Sequence, residues 1–372
     1  MPKIVIMAGG TGGHVFPGLA LANELKDRGW TIEWFGTRDR MEADTVPRHG
    51  YPIHFLDIAG VRGKGLLRKL HSPIRLIQAV LSARKILKQL SPDLVIGMGG
   101  YASGPGGLAA KSLNIPLFIH EQNAVFGLTN RLLAVFADKV FTGFDLTKKQ
   151  TESKAPSNTI WVGNPVRAEF FESQAREIDT LFASNKITES ENPPCNILIT
   201  GGSLGAQSLN TLLPSIINSC CKEHNLKVWH QAGKGKLTGI EENYSTDVTL
   251  RVDEFIGNTA DAYAWAEIIV CRAGALTVAE VSASGKPAIF VPLPIAVDDH
   301  QTKNARVLVE ANAAYLVNQK DISERLEAYL KALLSDKKLR KTMGENAKVL
   351  AKVDSAKVLA DYCQQEIGMK HD

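Results

Sequence analysis

The sequence predicts an α/β protein of two doubly wound parallel-sheet domains in tandem, and three observations carry that expectation. Short apolar runs alternate with longer helical patterns along the whole chain. At 372 residues the chain is longer than one hydrophobic core usually serves. The halves also repeat each other. Val5-Ile6-Met7-Ala8-Gly9-Gly10-Thr11-Gly12-Gly13 corresponds to Ile197-Leu198-Ile199-Thr200-Gly201-Gly202-Ser203-Leu204-Gly205, each a strand feeding a glycine loop that opens a helix.

In the first half the strand candidates are Ile4–Met7, Thr31–Phe35, Leu94–Met98, Leu117–His120 and Lys139–Thr142. In the second they are Asn196–Thr200, Lys227–Gln231, Thr249–Val252, Ile268–Cys271 and Ala288–Val291. Each is a short run rich in β-branched or aromatic residues, as strands buried on both faces are. Gly18–Arg28, Ile74–Leu90 and Leu209–Cys221 carry apolar residues at three- and four-residue spacing and read as amphipathic helices. The expected domains are 1–165 and 166–353, with Gly163-Asn164-Pro165 as a hinge and the polar stretch Glu172–Pro194 as a surface segment. A last helix at about 354–372 has no strand after it and is expected to pack back on the first domain.

Composition narrows the class. Apolar residues make up 44% and charged residues 22%, which excludes a largely disordered chain, and the net charge of +4 makes no case for nucleic acid. The five cysteines form no CxxC pair and no disulfide spacing, which points to a reducing compartment. Lys3-Ile4-Val5-Ile6-Met7 is too short for a signal-peptide core, and nowhere do roughly eighteen uncharged apolar residues run together. A cytoplasmic protein is the expectation.

Glycine turns between a strand and a helix let backbone N–H groups approach an anion, and the helix N-terminus adds partial positive charge. Three occur here, at Gly9–Gly13, Gly99–Gly104 and Gly201–Gly205, and Cys271-Arg272-Ala273-Gly274-Ala275 forms a fourth turn of this kind. One such loop can serve packing alone. Several at strand ends in both halves point to a phosphate-bearing ligand between the domains. The first loop lacks the dinucleotide fingerprint, the second strand ends in Phe35-Gly36-Thr37 without a carboxylate, and no Walker pattern occurs. Glu280, six residues beyond Gly274, is either an exposed helix glutamate or an acceptor for both ribose hydroxyls of a nucleotide.

Seven segments in order resemble the MurG family of glycosyltransferases: GGTGGHVFP from Gly9, GGYASGP from Gly99, HEQN from His120, GNPVR from Gly163, GGS from Gly201, RAGALTVAE from Arg272 and DHQTKNA from Asp299. They span nearly the whole chain. The resemblance implies a GT-B fold of two Rossmann-like domains facing a cleft, and inverting transfer of GlcNAc from UDP-GlcNAc to lipid I, giving lipid II for peptidoglycan. It places the protein in cell-wall biogenesis, cell shape and cell division. It also brings cell-wall-synthesis proteins into view as partners without singling one out.

Site residues follow position by position. Donor contacts would fall on Arg167, Ser203 and Ile256, on Arg272, Ala275, Leu276 and Thr277, on Glu280 and Gln301, and on Thr11, Gly12, Gly13 and Asn123 of the first half. Acceptor contacts would fall on Gly10, Thr11, Gly13, His14, Gly100, Tyr101, Ser103 and Asn123. Leu204 stands where family members often carry glutamine, so a polar contact from that side chain is not expected. Inverting transfer needs a base for the acceptor hydroxyl and stabilisation of the leaving diphosphate. His14 leads as the base, because a histidine titrates near neutrality, with Glu121 second; His14 otherwise only hydrogen-bonds acceptor phosphate. No DxD sequence occurs, so neither a metal nor another cofactor is expected.

A lipid acceptor implies an anionic membrane surface. Ile58 through Pro92 holds no Asp or Glu but carries Arg62, Lys64, Arg68, Lys69, Arg75, Arg84, Lys85 and Lys88, interleaved with Leu66, Leu67, Leu70, Ile74, Ile77 and Leu81. That is a docking segment for the cytoplasmic face of the inner membrane, or an ordinary solvated basic helix. The rival functions are another GT-B enzyme, such as a lipid glycosyltransferase or a UDP-GlcNAc epimerase, and a non-catalytic nucleotide-sugar-binding protein.

Overall fold

The computed structural model describes residues 1–58, 66–146, 156, 158–172, 193–202 and 205–371, apart from the side chains of 66–73, 172, 297 and 369–371. Arg62, Lys64, Ser203, Leu204 and most of the Glu172–Pro194 segment therefore lie outside the described residues, as do the side chains of Arg68 and Lys69. The chain divides into two units, one of Met1–Val166 with Asp354–Asp372, the other of Arg167–Val353.

Among the described residues the first unit holds seven parallel strands: β1 (Lys3–Ala8), β2 (Thr31–Gly36), β3 (Ile53–Phe55), β4 (Leu94–Gly99), β5 (Leu117–Glu121), β6 (Lys139–Thr142) and β7 (Thr159–Trp161). Their order is β3-β2-β1-β4-β5-β6-β7. The second holds six: β8 (Cys195–Thr200), β9 (Leu226–Gln231), β10 (Thr249–Asp253), β11 (Ile268–Cys271), β12 (Ala288–Phe290) and β13 (Ala314–Leu316), in the order β10-β9-β8-β11-β12-β13. Each sheet is a Rossmann-like sheet.

All the apolar runs but Thr249–Val252, which became the edge strand β10, became inner strands, covered by helices on both faces of each sheet. Ile4 through Ala8 in β1 are fully buried, as are Ile268 through Cys271 in β11. Three strands went unread: β3, β7 and β13. Each has three residues and closes an edge of its sheet. The first helix starts earlier than its apolar periodicity indicates, at Gly12, because the glycine loop itself supplies the first turn of Gly12–Asp27.

The last helix, Ser355–His371, belongs to the first unit and packs on Gly12–Asp27. Leu359, Ala360, Cys363 and Ile367 join the core of β1, β2 and β4, while Arg28 pairs with Asp361 at 2.6 Å. Burial pushes the Cys363 and Cys271 thiols far above the ordinary thiol range, so both are inert packing groups.

In each sheet the chain winds outward from the first strand and returns to its other side. The loops after β1 and β4, and those after β8 and β11, thus leave neighbouring strand ends in opposite directions. Ligands of open α/β sheets bind in the crevice that opens there.

Candidate active site

Two glycine loops meet at the switch point of the first sheet. Gly9 and Gly10 follow β1, Gly99 ends β4 and Gly100 follows it, and a Cβ on Gly100 would collide with the Gly9 carbonyl. Gly99 and Gly100 have φ of +99° and +90°, which side-chain-bearing residues avoid, so glycine is needed at both positions. Beneath the first loop lies Glu42, fully buried and absent from any motif. Its carboxylate accepts the Gly10 N–H at 2.9 Å, the Thr37 N–H at 3.0 Å and the Thr37 hydroxyl at 2.7 Å. Glu42→Gln would turn an N–H donor towards these donors, leaving a buried pair unsatisfied. The expected cost is about 1–3 kcal/mol, read as a lower thermal transition of the first unit.

His14 stands in the first turn of Gly12–Asp27 with its ring against Gly99, where a Cβ would lie 2.6 Å from Nδ1. His14 Nδ1 is 2.9 Å from Gln122 Oε1. Gln122 Nε2 in turn lies 3.1 Å from His120 Nδ1, and His120 Nε2 lies 2.9 Å from the Gly163 carbonyl. Complete burial, helped by the nearby His14, pushes His120 down to about 4, so it is neutral at physiological pH.

Glu121, the second base candidate, is 2% exposed, and its carboxylate takes four donors. Oε1 accepts the Asn123 N–H and the Asn123 side-chain amide, each at 3.0 Å. Oε2 accepts the Gly127 N–H at 3.0 Å and Asn130 Nδ2 at 2.9 Å. That arrangement organises the loop after β5. Tyr101 is 40% exposed beside the second glycine loop, whereas Ser103 is fully buried. The Ser103 hydroxyl is held between the Met7 and Gly99 carbonyls at 3.0 and 2.9 Å, so its hydrogen is donated to backbone.

The second unit repeats the plan. β8 turns through Gly201 and Gly202, and at Gly205 a Cβ would collide with the Ala232 carbonyl. The contact expected of Ser203 lies outside the described residues. After β11, Gly274 caps the helix Ala275–Ser284 in an extended conformation. Ala275, Leu276 and Thr277 are its first residues, whose N–H groups have no intrahelical acceptor and form an anion-binding end.

Glu280 lies farther along this helix. Desolvation raises its carboxyl to about 7, opposed by the Arg167 charge and by the Tyr263 hydroxyl that donates to it. Tyr263 is 3% exposed and packs edge-on against Phe170 at 5.3 Å. Arg167 covers the same Phe170 ring at 5.2 Å and donates to the Thr259 hydroxyl at 2.5 Å. Ile256 is 4% exposed. Gln301, in the first turn of His300–Glu310, accepts the Leu293 N–H at 2.9 Å.

Arg272, expected at the donor diphosphate, is turned inward. It is 8% exposed and donates to the carbonyls of Val291 and Pro292, the Ser208 hydroxyl and Gln319 Oε1 over 2.7–3.0 Å. These four bonds tie the end of β11 to the segment after β12, to the helix Gln207–Cys220 and to the turn after β13. Among the described residues no three His, Cys, Asp or Glu side chains converge as a metal site.

The basic helix, Leu66–Leu90, buries Ala79, Ala83 and Leu87, spaced four apart. That stripe leaves Ile74, Ile77 and Leu81 at 57%, 60% and 60% exposure. Lys85 is exposed, and Arg84 is bound to Ser112.

Comparison with known proteins matches residues 4–142 to the glycosyltransferase family 28 N-terminal domain and residues 196–363 to its C-terminal domain. A transferase of Psychromonas ingrahamii, named UDP-N-acetylglucosamine–N-acetylmuramyl-(pentapeptide) pyrophosphoryl-undecaprenol N-acetylglucosamine transferase, is 48% identical over 97% of this chain and 98% of its own. A Shewanella violacea protein of the same name is 46% identical over 97% and 96%. The crystal structure of Acinetobacter baumannii MurG superposes with a TM-score of 0.80 at 38% identity, covering 98% of this chain and all of that one. A calicheamicin glycosyltransferase, at 14% identity and a TM-score of 0.67, shares the fold.

Proposed function

The chain belongs to the MurG family within glycosyltransferase family 28, and from that membership we propose how its two sites divide one reaction. The protein is an N-acetylglucosaminyltransferase that moves GlcNAc from UDP-GlcNAc to lipid I, forming lipid II. The match over the whole chain, through both family 28 domains, carries this reading.

The donor belongs to the second unit. Glu280 accepts the ribose hydroxyls, and the N–H groups of Ala275, Leu276 and Thr277 hold the diphosphate, with Arg167 supplying positive charge. Ile256 and Gln301 meet the base and the sugar. The helix N-terminus stabilises the charge that develops on departing UDP. The acceptor belongs to the first unit, its diphosphate against the N–H groups of Gly10, Thr11, Gly13 and Gly100, with Tyr101 and Asn123 beside it. His14 Nε2 takes the proton of the MurNAc 4-hydroxyl, whose oxygen attacks the GlcNAc anomeric carbon opposite the leaving UDP, so configuration inverts. Glu121, engaged by four donors, holds the loop, and Arg272 and Ser103 hold the framework.

UDP release from UDP-GlcNAc, with and without a lipid I analogue, tests the reaction. Release that depends on the acceptor is expected. Its absence in a protein that binds UDP-GlcNAc would transfer the chain to the other UDP-sugar functions.

No helix among the described residues is long and apolar enough to cross a membrane. The lipid acceptor is met by docking: Ile74, Ile77 and Leu81 enter an anionic leaflet, and the basic side chains of the same helix bind its headgroups, each contributing about 1 kcal/mol. Co-sedimentation with anionic vesicles is expected to fall at least tenfold in Ile77→Glu/Leu81→Glu, with turnover of a water-soluble acceptor kept. Equal binding of wild type and variant would refute the docking face.

A further inference from the structure

We propose that Gln122 is a positioning residue that fixes which nitrogen of His14 can accept a proton. The inference rests on the reading of His14 as the base and deepens it. Its support is the chain of contacts from Gly163 through His120 and Gln122 to His14, in which each partner leaves its neighbour one option.

Gly163 offers a carbonyl, which only accepts, so His120 Nε2 carries the hydrogen of the 2.9 Å bond. A neutral imidazole has one N–H, and burial keeps His120 neutral, so its Nδ1 is an acceptor. The group facing it must therefore be the Gln122 amide nitrogen. That orientation has a second, independent support, because the same nitrogen also reaches the His120 carbonyl at 3.3 Å. Gln122 is 1% exposed, and its own carbonyl accepts Asn164 Nδ2 at 3.0 Å, so side chain and backbone are both held.

With its nitrogen committed inward, Gln122 presents Oε1 to His14 Nδ1 at 2.9 Å. An amide oxygen only accepts, so Nδ1 bears the hydrogen and the lone pair of neutral His14 lies on Nε2. Gly99 forms the floor beneath the ring, where any Cβ would overlap it. When Nε2 takes the acceptor proton, Nδ1 keeps its hydrogen, and its bond to Oε1 becomes charge-assisted. Nothing in the chain has to turn over during the step, which is the condition for preorganised catalysis. A carboxylate in place of the amide would select the same tautomer but hold the imidazolium more tightly, hindering return of the proton. The amide orients without that charge.

Nitrogen-15 spectra of the histidine-labelled full chain, recorded at a pH where the imidazoles are neutral, read the tautomers directly. The wild type is expected to show Nδ1–H for His14 and Nε2–H for His120. Gln122→Leu is expected to give a tautomer mixture at His14 and a kcat lower by roughly 10- to 100-fold, less than the roughly 10²–10⁴ of losing a base outright. KM for UDP-GlcNAc should stay within about twofold, because Glu280 and the helix Ala275–Ser284 lie in the other unit. Gln122→Glu keeps an acceptor at His14 Nδ1 and is expected to retain its Nδ1–H form while losing the donor to His120 Nδ1, and an unchanged melting transition in Gln122→Leu separates orientation from loss of folding. An Nε2–H signal for wild-type His14, or an unchanged tautomer and kcat in Gln122→Leu, would overturn the proposal. Tautomers as expected in a chain that transfers no sugar would uphold the hydrogen-bond assignment and overturn the base reading instead.

Discussion

Replacing His14 with alanine is expected to lower acceptor-dependent turnover by about 10²–10⁴, the usual contribution of a positioned general base. KM for UDP-GlcNAc should change by no more than about twofold, since the donor helix and Glu280 lie in the other unit. The effect follows from geometry. His14 engages Gln122 through Nδ1, and its ring rests on Gly99 beside both glycine loops. Steady-state UDP release at saturating donor measures it. Glu121→Gln is the control. It replaces one of two oxygens that together accept four hydrogen bonds, so turnover and thermal stability should fall together. If turnover survived in His14→Ala, and Glu121→Gln lost it with the melting transition intact, the base would be Glu121.

The second large effect is expected at Glu280. Glu280→Gln removes a charged acceptor for the ribose hydroxyls and should raise KM for UDP-GlcNAc about 10- to 100-fold, matching the roughly 1.5–3 kcal/mol of hydrogen bonds to a charged group. The wild type should also depend on pH in a definite direction. Desolvation lifts this carboxyl from the ordinary 4.5 to about 7. Its anion accepts two hydroxyl hydrogens, and its neutral form is the poorer acceptor, so affinity is full above pH 7. It should weaken as pH falls through about 7, and KM should climb towards that of Glu280→Gln, which itself should show no such limb. Calorimetric titration of UDP-GlcNAc, whose diphosphate does not titrate in that range, checks it, and a flat profile in the wild type would remove Glu280 from the ribose. Tyr263→Phe removes the donor that holds the carboxyl and should raise the midpoint further.

The fold was largely legible because its signals are local. An apolar run such as Ile4–Met7 or Ile268–Cys271 declares a strand covered on both faces, and a glycine cluster after it declares a turn into a helix. The strands that escaped are Ile53–Phe55, Thr159–Trp161 and Ala314–Leu316. Edge strands are short and partly exposed, so they lack a continuous apolar run, and only pairing with a neighbour makes them strands.

The site was legible to the same depth. The loops, His14 and Glu280 sit in motifs at strand ends, where the sequence placed them. What the side chains do there was decided by partners far along the chain. His14 and Gln122 are separated by 108 positions, and Arg272 and Ser208 by 64. Arg272 looks from its motif like a diphosphate ligand, and four of its donations go to Val291, Pro292, Ser208 and Gln319. Glu42, in no motif, supports the first loop from 32 residues away. Hydrophobic periodicity and glycine reflect the conformation of a residue and its immediate neighbours, so the order of residues reveals them. Hydrogen-bond satisfaction in a desolvated interior depends on which groups the folded sheets bring within about 3 Å, and that is settled only when the chain has closed on itself.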